Sequence, residues 1–319
     1  MRVEGDTLAL RRLFDNEEAL MRGERTPHRI LLIGTGGGMC CTRAAGYLTA
    51  FKQHGITEAI DHAVTVSGSG GAVGAFLSGM PHRASRMFEQ LAASGFVQSG
   101  SYGVPRLQLD FLADILRGVH SPLAFSDDAI RSHRTSWHVV VTRMSGESLM
   151  LDAKRFAPDV AQAVLASSAL PEVATPVSGG LMGDAEEQWV DGACGMPLPL
   201  RAGVTMFRPD TVIILESRPD QVDLSRIERL LWPTLTHFCL RHAPGHLRRQ
   251  LASMNRFVDS EMGRLRALKR IKWCRVIPDR GDAALSPFTA DGVLLHSAAE
   301  NARHFMGGVL EAVRPKAVV

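Results

Sequence analysis

Short, uninterrupted apolar runs alternate with amphipathic segments along much of this chain. One run, Ile30 to Ile33, stops at Gly34, and a similar run covers 211–215. Runs of this length bounded by glycine or polar residues are typical of strands buried on both faces. Apolar residues then recur at helical spacing from Ala44 to Phe51. Strands that alternate with helices predict an α/β fold with a central, mostly parallel sheet.

The same patterns predict most of the remaining elements. An amphipathic helix is expected within the charged segment 1–27, and residues 28–315 are expected to form one domain. The other predicted elements are a strand, turn and helix over 63–79, helices within 82–134, strands at 137–142 and 148–151, a helix at 159–169, a strand at 188–190, helices within 223–270, a strand at 274–277 and a helix at 291–313.

Composition and charge narrow the class of protein. The 319 residues are 45% apolar with a formal charge of +3, so a large core is available and nucleic acid is not expected as a partner. Five cysteines do not indicate a disulfide framework. The N-terminal segment is too charged for a secretory signal, and no run is apolar enough to span a membrane. A cytoplasmic protein is therefore predicted.

Two glycine-rich turns stand where a predicted strand passes into a helix. Residues 34–38 read GTGGG and residues 67–71 read SGSGG. Such turns expose backbone N–H groups at the edge of the sheet where α/β proteins place their sites. A P-loop would need Lys and Ser or Thr after its glycines, which Met39 and Cys40 do not supply. A dinucleotide fingerprint lacks its third glycine, which leaves cofactor binding as a minor alternative.

The second turn favours a nucleophilic serine. In a G-x-S-x-G elbow, a serine is held on a tight turn between strand and helix, with small residues two positions away on each side. Centring the pattern on Ser69 leaves Ser67 in place of the first glycine, and Gly68, Gly70 and Gly71 complete the motif. Ser69 is therefore the predicted nucleophile.

Two further motifs supply what such a serine needs. The backbone amides of Gly36, Gly37 and Gly38 are the predicted oxyanion hole. Asp191, followed by Gly192 and Ala193 at the end of a predicted strand, offers a carboxylate that can act as a general base.

These three motifs, in this order, resemble the patatin-like phospholipase family. Its members carry G-G-G-x-[RK]-G, then G-x-S-x-G, then D-G-[GA]; this sequence has GGGMCC at 36–41, SGSGG at 67–71 and DGA at 191–193. ASSALPEVATPV at 166–177 is similar to the family's A-S-x-A-x-P-x-x-F-P-P-V segment. The sequence departs from the family at Cys40, Cys41, Ser67 and Pro197, where Arg or Lys, Gly, Gly and Asn are usual.

The resemblance implies a three-layer α/β/α patatin-like fold and hydrolysis of lipid acyl esters, with phospholipids as the expected substrate. It implies a Ser69–Asp191 dyad, adds the amide of Met39 to the oxyanion hole, and implies no metal or cofactor. A catalytically impaired relative that binds a lipid or a partner is the alternative. A Ser–Asp–His triad using His296 or His304 is a weaker hypothesis.

Other candidate residues favour ordinary structural roles. Cys40, Cys41 and Cys194 are predicted to be small buried residues. The group His237, Cys239, His242 and His246 matches no zinc-ligand spacing. Residues 241–275 hold ten Lys or Arg against two acidic residues, with aromatic residues among them. We hypothesise that this basic stretch contacts the surface of an anionic membrane.

Overall fold

The computed structural model describes residues 1–100, 105–118, 123–178, 186–219, 243–279 and 285–315. Its strands are β1 (Arg2–Gly5), β2 (Ile30–Gly34), β3 (His62–Val66), β4 (Val97–Ser99), β5 (Pro105–Leu107), β6 (Ser136–Arg143), β7 (Ser148–Asp152), β8 (Val177–Ser178), β9 (Gln188–Asp191), β10 (Thr211–Leu215) and β11 (Lys272–Ile277).

Helices occupy most of the intervening chain. They are α1 (Leu8–Met21), α2 (Thr42–Gln53), α3 (Ser69–Leu77), α4 (His82–Ser94), α5 (Leu109–Arg117), α6 (Asp127–Ser132), α7 (Ala161–Ser167), α8 (Leu200–Phe207), α9 (Gly245–Ala252), α10 (Met254–Ala267) and α11 (Gly292–Val313). Short 3-10 helices cover Gly38–Cys41, Ala153–Phe156 and Gly192–Cys194.

A nine-stranded sheet in the order β1-β11-β10-β2-β3-β6-β9-β8, with β7 paired to β6, forms the centre of the fold. The strands from β11 to β6 pair in parallel. Leu215 pairs with Gly34, and Gly34 with Thr65, so β10, β2 and β3 end at one edge of the sheet. Both glycine turns leave the sheet at this edge, as the sequence predicted.

Strand β6 brings a fourth chain segment to the same place. Val66, the last residue of β3, pairs with Val140, and Asp191, the last residue of the antiparallel strand β9, pairs with Val141. Because Val140 and Val141 are adjacent, the ends of β3 and β9 lie close together. The register of β6 thus places the DGA motif beside the SGSGG turn.

Helices cover both faces of the sheet because successive residues of the buried strands point to opposite sides. Ile30 and Leu32 of β2 pack in a core with helices α1, α2 and α11. Leu31 and Ile33 pack in a second core with α8 and α10. The predicted α/β class with a mostly parallel central sheet is confirmed.

The N-terminal segment contributes more than the predicted helix. Helix α1 is present, with Leu10 and Leu13 fully buried. The unpredicted strand β1 pairs antiparallel with β11 and forms an edge of the sheet. The part of the predicted 223–270 helical region that precedes residue 243 lies outside the described residues.

Candidate active site

The SGSGG turn forms a strained elbow whose apex is Ser67. Strand β3 ends at Val66 and α3 begins at Ser69, so Ser67 and Gly68 make the whole connection. Ser67 has a φ of 56°, a left-handed conformation that costs a non-glycine residue about 1–3 kcal/mol. Such strain is typical of a nucleophile elbow, in which the serine side chain is turned away from the sheet.

The hydroxyl of Ser67 is bonded to Asp191. Its Oγ donates to Asp191 Oδ2 over 2.6 Å. The other carboxylate oxygen of Asp191 accepts the backbone N–H of Ala193 at 2.8 Å. The backbone N–H of Ser67 donates to Ser167 Oγ at 2.8 Å. Each partner is therefore also bonded to a second residue, Ser67 to Ser167 and Asp191 to Ala193, which fixes their relative orientation.

The structure bonds Ser67 to Asp191 and gives the predicted nucleophile Ser69 other partners. Ser69 is fully buried at the start of α3. Its Oγ lies 2.9 Å from Gly34 O and 2.8 Å from Val66 O, and it accepts the N–H of Val66 at 3.1 Å. These bonds commit the Ser69 hydroxyl to the backbone of β2 and β3.

Two glycines, Gly34 on the neighbouring strand β2 and Gly71 on α3, leave room for this arrangement. Centred on Ser67, the motif has Thr65 in place of its first glycine, but Thr65 pairs with Gly34, which has no side chain. A Cβ on Gly34 would lie 2.9 Å from Ser69 Oγ. A Cβ on Gly71 would lie 2.5 Å from the Met87 methyl carbon. In the family pattern, glycines within the motif leave this space. Here Gly34 and Gly71, which lie outside the motif centred on Ser67, leave it.

Burial makes Asp191 an unusually weak acid. The residue is 4% exposed, and desolvation raises the pKa of its carboxyl group to about 6, although the bonds from Ser67 and Ala193 act in the opposite direction. A carboxylate with a raised pKa is a better proton acceptor than one in water. It is still ionised at neutral pH.

The first glycine turn lies against the elbow. A Cβ on Gly36 would approach Ser67 Cβ to 3.2 Å, and a Cβ on Gly68 would approach Gly38 O to 2.8 Å. Gly38 has a φ of 55°, which glycine adopts without strain. The two turns therefore meet backbone to backbone, which side chains at these positions would prevent.

One of the four predicted oxyanion donors is already in use. The N–H of Met39 donates to Pro287 O at 3.0 Å. Within the described ranges, the N–H groups of Gly37, Gly38 and Gly68 have no protein acceptor. Amides from the glycine turn and the elbow are thus available to a ligand, whereas the Met39 amide anchors the turn.

A buried ion pair supports the start of the glycine turn. Thr35 Oγ1 donates to Glu216 Oε2 at 2.7 Å, and Arg275 Nε donates to Glu216 Oε1 at 2.8 Å. The hydroxyl of Ser217 donates to Thr35 O at 3.2 Å. The loop that follows β10 therefore fixes Thr35, the residue directly before Gly36.

Ser67 and Asp191 open into a cavity of about 490 Å³. Its walls are mainly apolar and include Met87, Phe88, Leu91, Leu112 and Val164. The glycine turn also lines it. Its size is within the range of small-molecule sites. The combination suits a molecule with a long apolar part and one reactive polar group.

The buried cysteines fit the structural role predicted for them. Cys40, Cys41 and Cys194 are at most 1% exposed, and desolvation raises the pKa of each thiol. Thiols that stay protonated are poor nucleophiles.

Among the described residues, the candidate histidines have other partners than a metal site or Asp191. Across the described ranges, no group of His, Cys, Asp and Glu could hold a metal ion. His237, Cys239 and His242, for which no zinc-ligand role is predicted, lie outside those ranges. His246 bonds to Met144 O. His296 pairs with Glu89 and His304 with Glu300, so neither is brought to Asp191.

Comparison with known proteins supports the fold. No protein-family model and no curated protein matches the chain. Among solved structures, it is similar to the crystal structure of VipD from Legionella pneumophila, with a TM-score of 0.51 and 13% identity over 90% of this chain and 67% of VipD. The likeness supports the α/β fold described above, with a central, mostly parallel sheet and helices on both sides.

Proposed function

We propose that this chain hydrolyses acyl esters of lipids, with Ser67 as the nucleophile and Asp191 as the general base. The observation that carries the proposal is the 2.6 Å hydrogen bond from Ser67 Oγ to Asp191 Oδ2 at the wall of an apolar cavity. The family resemblance of the three motifs supports the same chemistry.

The first half of the reaction transfers the acyl group to the protein. Ser67 Oγ attacks the ester carbonyl carbon while its proton passes to Asp191. The carbonyl oxygen gains negative charge, and in this proposal the amides of Gly37, Gly38 and Gly68 stabilise that charge. The carbon–oxygen bond to the alcohol then breaks, and the alcohol oxygen takes the proton from Asp191.

The second half releases the fatty acid. Water occupies the position that the alcohol left and gives a proton to Asp191 as its oxygen bonds to the acyl carbon. The bond to Ser67 Oγ breaks, and the serine recovers the proton. Asp191 acts once as base and once as acid in each half, which a pKa of about 6 favours near neutral pH.

The apolar cavity supports a lipid substrate. Side chains from α4, α5 and α7 offer an acyl chain a dry wall beside the serine. Phospholipids are the expected class because of the family resemblance. Neither half of the proposed reaction uses a metal or a cofactor.

Contact with a membrane surface is part of the proposal. In the basic stretch, Arg256, Lys269 and Arg270 are exposed, and Phe257 is 36% exposed. None of the helices described is long and apolar enough to cross a bilayer. We expect a variant with Arg248, Arg249, Lys269 and Arg270 changed to Glu to float less with anionic liposomes; unchanged flotation would remove this contact.

The main test compares two serines two positions apart. Hydrolysis of nitrophenyl butanoate and of mixed phospholipid vesicles is measured for the parent and for Ser67→Ala, Asp191→Asn and Ser69→Ala. We expect Ser67→Ala to lower kcat by at least about a thousandfold and Ser69→Ala to retain most activity. Activity that survives Ser67→Ala but not Ser69→Ala would refute the assignment. An inert parent would favour the impaired, lipid- or partner-binding alternative.

A further inference from the structure

Ser168 is a buried polar residue in the cavity whose side chain has no partner. It is 7% exposed and lines the same cavity as Ser67 and Asp191. Its Oγ makes no hydrogen bond in the part of the chain that the structure describes. A buried hydroxyl without a partner costs about 1–3 kcal/mol, so its presence beside a reactive pair indicates a ligand.

The backbone around Ser168 is fixed against the reactive pair. The residue before it, Ser167, accepts the N–H of Ser67, and the residue after it, Ala169, accepts the N–H of Asp191 at 3.0 Å. Ser168 thus lies between a residue bonded to Ser67 and a residue bonded to Asp191. The glycine turn meets Ser67 through a separate contact, at Gly36.

We infer that the Ser168 hydroxyl binds the oxygen of the leaving alcohol and, after it departs, the water that replaces it. The inference rests on the proposed function. The carbonyl oxygen must face the amides of the glycine turn, so the alcohol oxygen faces Asp191, which protonates it. Ser168 lines the same cavity, and the residue after it is bonded to the backbone of Asp191.

The Ser168 hydroxyl can act in both halves of the reaction because the attack of water reverses the departure of the alcohol. The oxygen that leaves takes a proton from Asp191, and the oxygen of water that attacks gives a proton to Asp191. Both oxygens therefore occupy one position. Ser168 Oγ can donate a hydrogen bond to a lone pair of either oxygen, and no existing bond opposes the rotation about χ1 that this needs.

The test exploits the leaving group. Nitrophenyl butanoate and ethyl butanoate carry the same acyl group, but nitrophenolate leaves readily and ethoxide does not. Loss of a donor to the leaving oxygen should matter only for the poor leaving group. We expect Ser168→Ala to lower kcat/KM about tenfold for ethyl butanoate and less than twofold for nitrophenyl butanoate. Ser168→Thr, which keeps a hydroxyl, should restore much of the ethyl ester activity.

The outcomes separate this inference from the proposed function. An equal loss of kcat/KM on both esters, or no loss on either, would overturn the role of Ser168 while Ser67→Ala still abolished hydrolysis. A parent inactive on both esters would overturn the proposed function, and this inference with it. Ser94→Ala, which removes an exposed hydroxyl on α4, is the control and should leave both rates unchanged.

Discussion

Replacing Asp191 with asparagine should stabilise the folded chain above pH 6. The Asp191 carboxyl group has a pKa of about 6 when folded, against an ordinary value of 3.8. Between these values the unfolded chain loses a proton that the folded chain keeps, so stability falls as the pH rises through this window. A difference of about two pKa units corresponds to a cost of about 3 kcal/mol at neutral pH. Asparagine carries no charge, so its burial has no such desolvation cost.

Asparagine also preserves the hydrogen bonds of the site. Its oxygen can accept the N–H of Ala193, and its NH₂ group can donate to Ser67 Oγ. Urea titrations of the parent and Asp191→Asn at pH 4 and pH 8 measure the difference in free energy of unfolding. We expect little difference at pH 4 and a variant more stable by about 3 kcal/mol at pH 8. Asp128→Asn, at a side chain 88% exposed, controls for the lost charge. Equal stability of the parent and Asp191→Asn at pH 8 would refute a desolvated carboxylate.

Three further outcomes are expected. The kcat/KM of the parent should rise with pH and level off above pH 6, where Asp191 is ionised; a profile flat from pH 4 to pH 8 would contradict this base. Glu216→Gln should lower kcat about tenfold with KM nearly unchanged, because Glu216 holds Thr35 before the glycine turn; a change in KM alone would refute that role. Gly38→Ala should lose activity and at least about 1 kcal/mol of stability by urea titration, because its Cβ would lie 2.5 Å from Pro287 O; a fully active variant would show that the turn tolerates a side chain.

The strands around the site are predictable from sequence because burial on both faces leaves uninterrupted apolar runs. The runs at 30–33 and 212–215, which form most of β2 and β10, are of this kind, and Gly34 follows the first. Strand β1 has no such run, and its pairing with β11 depends on residues more than 250 positions away. The local sequence pattern does not show which distant strand β1 pairs with.

The sequence prediction and the proposal name different serines for a related reason. Counting glycines favours Ser69, with one departure from the elbow pattern, over Ser67, with two at Thr65 and Ser69. The proposal of Ser67 rests instead on the end of β3 at Val66, because the first residue after the strand takes the left-handed turn. The space for Thr65 comes from Gly34 on the neighbouring strand, and no pattern within the elbow shows it. Asp191 is the last residue of β9, and the short run of Trp189 and Val190 before it placed it at the end of a predicted strand.

The central claim is tested most directly by finding which serine a fluorophosphonate labels. The parent is treated with the reagent, digested, and the modified residue is identified by tandem mass spectrometry, which separates Ser67 from Ser69 within one peptide. The account predicts modification of Ser67 at one equivalent, retained in Ser69→Ala and lost in Ser67→Ala. Modification of Ser69, or no modification of a folded parent, would contradict it.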